Sequence, residues 1–126
     1  MPQNAWDAAA VGNRIAVVWE SAFTATTVTL SDQMLDGTDQ PIGPAHTVVI
    51  PGFSGQPVTI AYDGSEILIA KAVGNAAQGT VYGARFTASG DPIETTPFVL
   101  AASATSFSAV AGNGRTALVW QAPRDI

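Results

Sequence analysis

Side chains able to do acid–base or nucleophilic chemistry are few in this sequence. There is one histidine, His46, and no cysteine. A single imidazole cannot build a multi-histidine metal site. Without thiols there is no zinc–thiolate site, no disulfide framework and no cysteine nucleophile. His46 follows Pro44-Ala45 and opens the apolar run Thr47-Val48-Val49-Ile50 with no acid or nucleophile beside it in sequence, so it reads as a strand-end histidine. Asp32, Asp36 and Asp39 lie close together around Gly37. Calcium takes oxygen ligands from a flexible loop, but these acids are spaced D-x-x-x-D-G-x-D, not as an EF-hand, and read as turn formers. Glu20, Glu66 and Glu94 are the only glutamates. Two carboxylates suffice for glycoside hydrolysis, yet Glu20 and Glu66 end and begin strand-like runs, where a rim charge is expected. No serine sits in G-x-S-x-G and no P-loop is present. Gly112-Asn113-Gly114 reads as a hairpin turn, because no helix follows to supply a positive dipole for phosphate. The expectation is a chain with no catalytic residue, no metal and no cofactor.

Composition narrows the partners. The chain has 126 residues, 47% of them hydrophobic, only 12% charged, with a net charge of -5. One domain of ordinary size is expected, rich enough in apolar residues to pack a core. The acidic balance argues against nucleic acid, which needs clustered Lys and Arg, and against anionic lipid. No run approaches the ~18 apolar residues of a spanning helix. Met1–Asp7 has no basic region followed by an apolar one and does not read as a signal peptide. Both ends read as cuts through a pattern that would continue.

The elements that must position these residues are strands. Val, Ile, Thr and Gly are plentiful, helical periodicity is missing, and turn signals recur every 8–15 residues. Arg14-Ile15-Ala16-Val17-Val18-Trp19-Glu20 is apolar on both faces, which predicts a strand buried on both sides. Three hairpins follow one plan: Ala8–Val11, Gly12-Asn13 and Arg14–Glu20; Val58–Tyr62, Asp63-Gly64-Ser65 and Glu66–Ala72; Phe107–Ala111, Gly112-Asn113-Gly114 and Arg115–Gln121. The period is about 50 residues, with Lys71 where the other copies have Trp19 and Trp120. Between the hairpins, Asp36–Ile42 resembles Ser89–Ile93 with a two-residue insertion in the first. Further strands are predicted at Thr26–Leu30, His46–Ile50, Thr80–Phe86 and Pro97–Leu100. The expected organisation is repeat 1 over 4–55, repeat 2 over 56–104 and a partial repeat 3 over 105–126: four, four and two strands in meander order.

A lone four-stranded meander of this length cannot cover both its faces; stacked copies can, as β-propeller blades do. The Gly-turn, the apolar strand ending in Trp, Val81-Tyr82-Gly83-Ala84-Arg85-Phe86, Ser89-Gly90-Asp91-Pro92-Ile93 and Pro97–Leu100 resemble the β-propeller-type repeats of large secreted or cell-surface bacterial proteins. Residues 56–101 match best, 4–55 lack the aromatic-Gly-x-Arg motif, and 105–121 match at the hairpin. The resemblance implies an all-β fold of antiparallel four-stranded, blade-like meanders, about two and a half copies, and an extracellular or cell-surface setting. It implies no catalytic residue. The alternative architecture is a two-sheet β-sandwich or barrel. Trp19 and Trp120 are expected in the core. Trp6 and Phe23, outside the best-buried runs, are the expected interface or ligand surface, together with Asn75 and Gln78 in the loop Gly74–Gly79. Three functions follow as expectations: a non-enzymatic structural or interaction module that self-associates or packs on the remainder of a larger chain; a carbohydrate-binding module taking a glycan on its loops; and a fragment of a larger propeller enzyme.

Overall fold

The structure is a computed structural model that describes residues 6–52, 58–73, 79–94, 96–104, 106–112 and 115–121, those after 100 by their backbone. The described residues form strands and turns. Sheet 1 is the antiparallel meander β1 (Trp6–Val11), β2 (Arg14–Phe23), β3 (Thr27–Leu35) and β4 (Pro41–Pro51). Sheet 2 repeats it with β5 (Val58–Tyr62), β6 (Glu66–Val73), β7 (Gly79–Thr87) and β8 (Phe98–Ala104). A third hairpin pairs β9 (Ser106–Gly112) with β10 (Arg115–Gln121). The chain is thus all-β, with two four-stranded antiparallel sheets packed face to face, as a two-sheet sandwich would be, and not a closed barrel.

Local chemistry sets the turns. Gly12 (φ 65°) and Gly64 (φ 98°) supply left-handed backbone in the two tight hairpins. In the second hairpin Asp63 Oδ1 accepts from the amides of Ser65 (2.8 Å) and Glu66 (2.7 Å). The wider turns of the two sheets share one hydrogen-bond template. In sheet 1 the Asp36 amide donates to Gln40 O, Asp39 N donates to Asp36 O, and Asp36 Oδ1 accepts from Thr38 N and Gln40 N. In sheet 2 Thr87 N donates to Asp91 O, Gly90 N donates to Thr87 O, and Thr87 Oγ1 accepts from Ser89 N and Asp91 N. Asp39 (φ 64°) therefore stands where Gly90 (φ 93°) stands. The two-residue insertion expected in the first copy does not exist; the expectation matched Gly37 to Gly90 by residue type, whereas geometry matches Asp39.

Packing uses opposite faces of the two sheets. The face of sheet 1 turned to sheet 2 carries Val11, Ala16, Val18, Glu20, Val28, Leu30, Asp32, Met34 and Ile50, all buried. It covers Val58, Ile60, Ile67, Ile69 and Phe86 of sheet 2 in one apolar cluster. The edge strands β1 and β5 make the most extensive inter-sheet contact among the described strands. There Asp7 Oδ2 accepts from Ile60 N (3.0 Å) and Thr59 Oγ1 (3.2 Å). The other face of sheet 2 carries Ala70, Ala72 and Val81 with Leu100 against them, and β9 lies over β5 as β5 lies beside β1. Gly83 is needed there: a Cβ on it would stand 2.6 Å from Leu100 Cδ1.

Three expectations are corrected. β2 is not buried on both sides: Ala16, Val18 and Glu20 are covered, while Ile15 is 37% exposed and Val17 and Trp19 are half-buried. Trp19 accordingly is not a core residue. Glu20 is not a rim charge, being only 3% exposed. Nothing among the described residues covers the outer face of β2, whereas Glu20 lies on the face that meets sheet 2.

Candidate interaction surface

Pairing registers place the two sheets on one scale. Trp19 pairs with Trp6 and Ser31, and Lys71 pairs with Val58 and Tyr82, so Trp19 and Lys71 hold the same station. By the same scale Ile15 matches Ile67 and Val17 matches Ile69. In sheet 2 these stations face sheet 1 and are buried. In sheet 1 they face outward, beside exposed Ala8, Ala10 and Val49 (54% exposed). Trp6, 70% exposed, stands directly across from Trp19 on this face. The result is a contiguous apolar sheet face of the kind that marks a binding surface. Phe23, 53% exposed, lies at the far end of β2, past the bulge at Glu20/Ala22. The structure thus brings Trp6 together with Trp19, Val17 and Ile15. Asn75 and Gln78 lie outside the described residues. Trp120 is placed only by its backbone, paired with Phe107.

The covered joint between the sheets holds the buried charged groups Glu20, Asp32 and Lys71. Lys71 Nζ lies 3.4 Å from Glu20 Oε2, with side-chain exposures of 0% and 4%. Burial pushes the Lys71 ammonium below its usual range, and the Glu20 carboxylate pulls the other way. An apolar joint with one buried ion pair tolerates only a partner that brings the opposite charge. The tryptophan-for-lysine difference between the copies, read in sequence as a mere departure, therefore separates a joint that meets Glu20 from an outer face that does not.

Asp32 lies in the same joint. Its Oδ1 is 3.5 Å from His46 Nδ1, and its buried Oδ2 has no hydrogen-bond partner among the described residues. Burial, opposed by His46, pushes the Asp32 carboxyl up to about 6. His46 packs its ring 6.3 Å from that of Phe86. The two residues are fourteen positions apart in sequence, and the β3–β4 register brings them opposite each other. Asp36, held low by donation from the Gln40 amide and from Thr38, serves its own turn. Asp32, Asp36 and Asp39 thus do not converge, and no group of three potential metal ligands occurs among the described residues.

The other face of sheet 2 carries an open groove of about 450 Å³ lined by Leu68, Phe98, Leu100, Arg85, Glu66 and Glu94, with Asp63 at its end. Arg85 Nε donates to Glu94 Oε1 (2.6 Å), its amide to Glu94 Oε2 (3.1 Å), and Nη1 to Glu66 Oε2 (3.3 Å). Sequence reading placed the arginine in its motif but gave no sign that Glu66 and Glu94 meet on it. That needed the β6–β7 register and the turn from Thr87 that returns Glu94 to Arg85. No protein-family model, no curated protein and no solved structure matches this chain.

Proposed function

We propose that this chain is a non-enzymatic structural or interaction module that associates by stacking its β-sheets, its meanders serving as blade-like units in a propeller-type assembly outside the cell. One observation carries the reading: stations that are buried under a neighbouring sheet in sheet 2 lie open in sheet 1, still apolar, with Trp6 and Trp19 at their centre. Each joint places one face of a sheet on the opposite face of the next. Such contacts are heterologous: they end in a ring if the rotation per unit closes and in an open stack if it does not. The extracellular setting rests on the repeat resemblance alone.

Sedimentation velocity across a wide concentration range tests this reading. Self-association strengthened by sulfate is expected, and Trp6→Ser with Val17→Lys should abolish it while the β-sheet circular dichroism stays unchanged. A wild-type chain that remains monomeric at every concentration overturns the reading. A second reading, carbohydrate binding, draws on the groove, where Phe98 offers a ring and Arg85, Glu66 and Glu94 offer donors and acceptors for hydroxyl groups. A glycan array giving one coherent sugar class would favour it.

A further inference from the structure

The joint between sheets 1 and 2 sets an amine and a carboxylate side by side in a closed, apolar place. Lys71 Nζ comes from β6 and Glu20 Oε2 from β2, 3.4 Å apart, with side-chain exposures of 0% and 4%. On the same faces Val18 flanks Glu20, and Ile69 and Val73 flank Lys71; Leu30 pairs with Glu20 and Val58 with Lys71. All five are buried. The cost of taking two charges out of water is only partly offset by their attraction. Burial also favours the neutral amine over the ammonium, and the neutral amine is a nucleophile. Fixed proximity replaces a bimolecular encounter, an advantage that reaches effective molarities of about 10⁵–10⁸ M when the reacting atoms are aligned.

We infer that Lys71 and Glu20 form a covalent cross-linking site, at which the Glu20 carboxyl acylates the Lys71 amine to give an isopeptide bond between sheets 1 and 2. The newly folded chain holds the ion pair, and the amide forms from it on standing. A proton passes from the ammonium to the carboxylate within the pair, leaving an amine beside a carboxylic acid. The Nζ lone pair attacks Glu20 Cδ, a turn about the last Glu20 torsion presenting the face of the carboxyl group. A C–N bond forms, a C–O bond breaks, and the hydroxyl leaves with a proton from nitrogen as water. Nothing is oxidised or reduced, and no co-reactant enters. The product is neutral, so the cost of burying two charges disappears. The site belongs to this joint alone among the three copies, since the station of Lys71 holds Trp19 in the first and Trp120 in the third. It stands apart from the Trp6–Trp19 face and from the assembly proposed there.

Intact mass spectrometry of the wild-type chain, aged while folded, tests the inference. The mass should fall below the sequence value by one water. Trypsin should then fail to cut after Lys71, and residues 15–85 should emerge as a single piece lacking that water. The linked fraction should melt at a higher temperature, because a bond between positions 20 and 71 restricts the unfolded chain. A parallel sample aged in guanidinium chloride should keep its full mass, since the reaction needs the folded geometry. Lys71→Arg, which keeps a positive charge but has no amine nucleophile, should keep its full mass too. An unchanged mass in the folded wild-type chain overturns the inference, and so does an equal loss in the unfolded sample or in the variant. A lost water with Lys71 still cleavable also overturns it, because that places the dehydration elsewhere, as at Asp36-Gly37 or Asp63-Gly64.

Discussion

Sheets 1 and 2 follow one strand plan, with the same order, the same hairpin and the same template in the wider turn, yet their corresponding faces differ in fate. Ile67, Ile69 and Lys71 are buried; Ile15, Val17 and Trp19 are not. What differs is the neighbour. An apolar station in a stacked sheet becomes core only when another sheet lies on it, so the repeat unit is a half-finished core whose completion is external to it. The ion pair makes the same point: Lys71 is compatible with burial because Glu20 arrives from the other sheet, and among the described residues no such acid faces Trp19.

The comparison yields measurements. The largest effect should come from the joint's charges. Lys71→Ala or Glu20→Ala alone breaks the buried ion pair and should cost about 3–5 kcal/mol in urea unfolding, with an unchanged denaturant slope. The double change Glu20→Leu with Lys71→Met should recover most of that loss. Next comes the matched pair of isoleucines. Ile67→Ala should destabilise by about 3 kcal/mol through a buried cavity, whereas Ile15→Ala in dilute solution should stay within about 1 kcal/mol. Equal losses at the two positions would mean that the outer face of sheet 1 is covered in solution. Asp32 sets a pH dependence particular to the joint. Its folded-state pKa of about 6 lies above the ordinary 3.8. The stability this group contributes is therefore fully present below pH 3.8 and is lost as pH rises through 6. Asp32→Asn should remove that limb, worth up to about 3 kcal/mol, from the stability–pH curve. The smallest effect is steric. Gly83→Ala drives a methyl into Leu100 and should cost about 1–2 kcal/mol.

Much of the architecture was legible in the residues. The hairpins, the strand order and the four-four-two count follow from alternation and from Asp-Gly and Gly-Asn turns, which act over a few residues. The sequence predicts a strand only as far as Leu30, with Asp32 grouped among the turn formers around Gly37, so Ser31, Asp32 and Gln33 fall outside the predicted strand. In the structure they remain in the strand, and Gln33 Nε2 donates to the carbonyls of Met34, Ile42 and Gly43, holding β4 across the irregularity in that pairing. The candidate surface was half visible. Trp6 was singled out because it lay outside the buried runs, but Trp19 was assigned to the core because a repeated tryptophan in an apolar strand carries no mark of which sheet stands at the end of the stack. Glu20 with Lys71, and Glu66 with Glu94 on Arg85, were invisible for the same reason: each meeting depends on registers and sheet contacts between residues far apart in sequence.

The stacking has a consequence for how such a molecule loses its structure. Among the described strands each unit packs chiefly on the one before and the one after, so no single event must disrupt all joints at once. Melting should begin at whichever layer has a bare flank and advance inward, layer by layer. A calorimetric trace would then be broader than one all-or-none step predicts, and covering either flank would sharpen it.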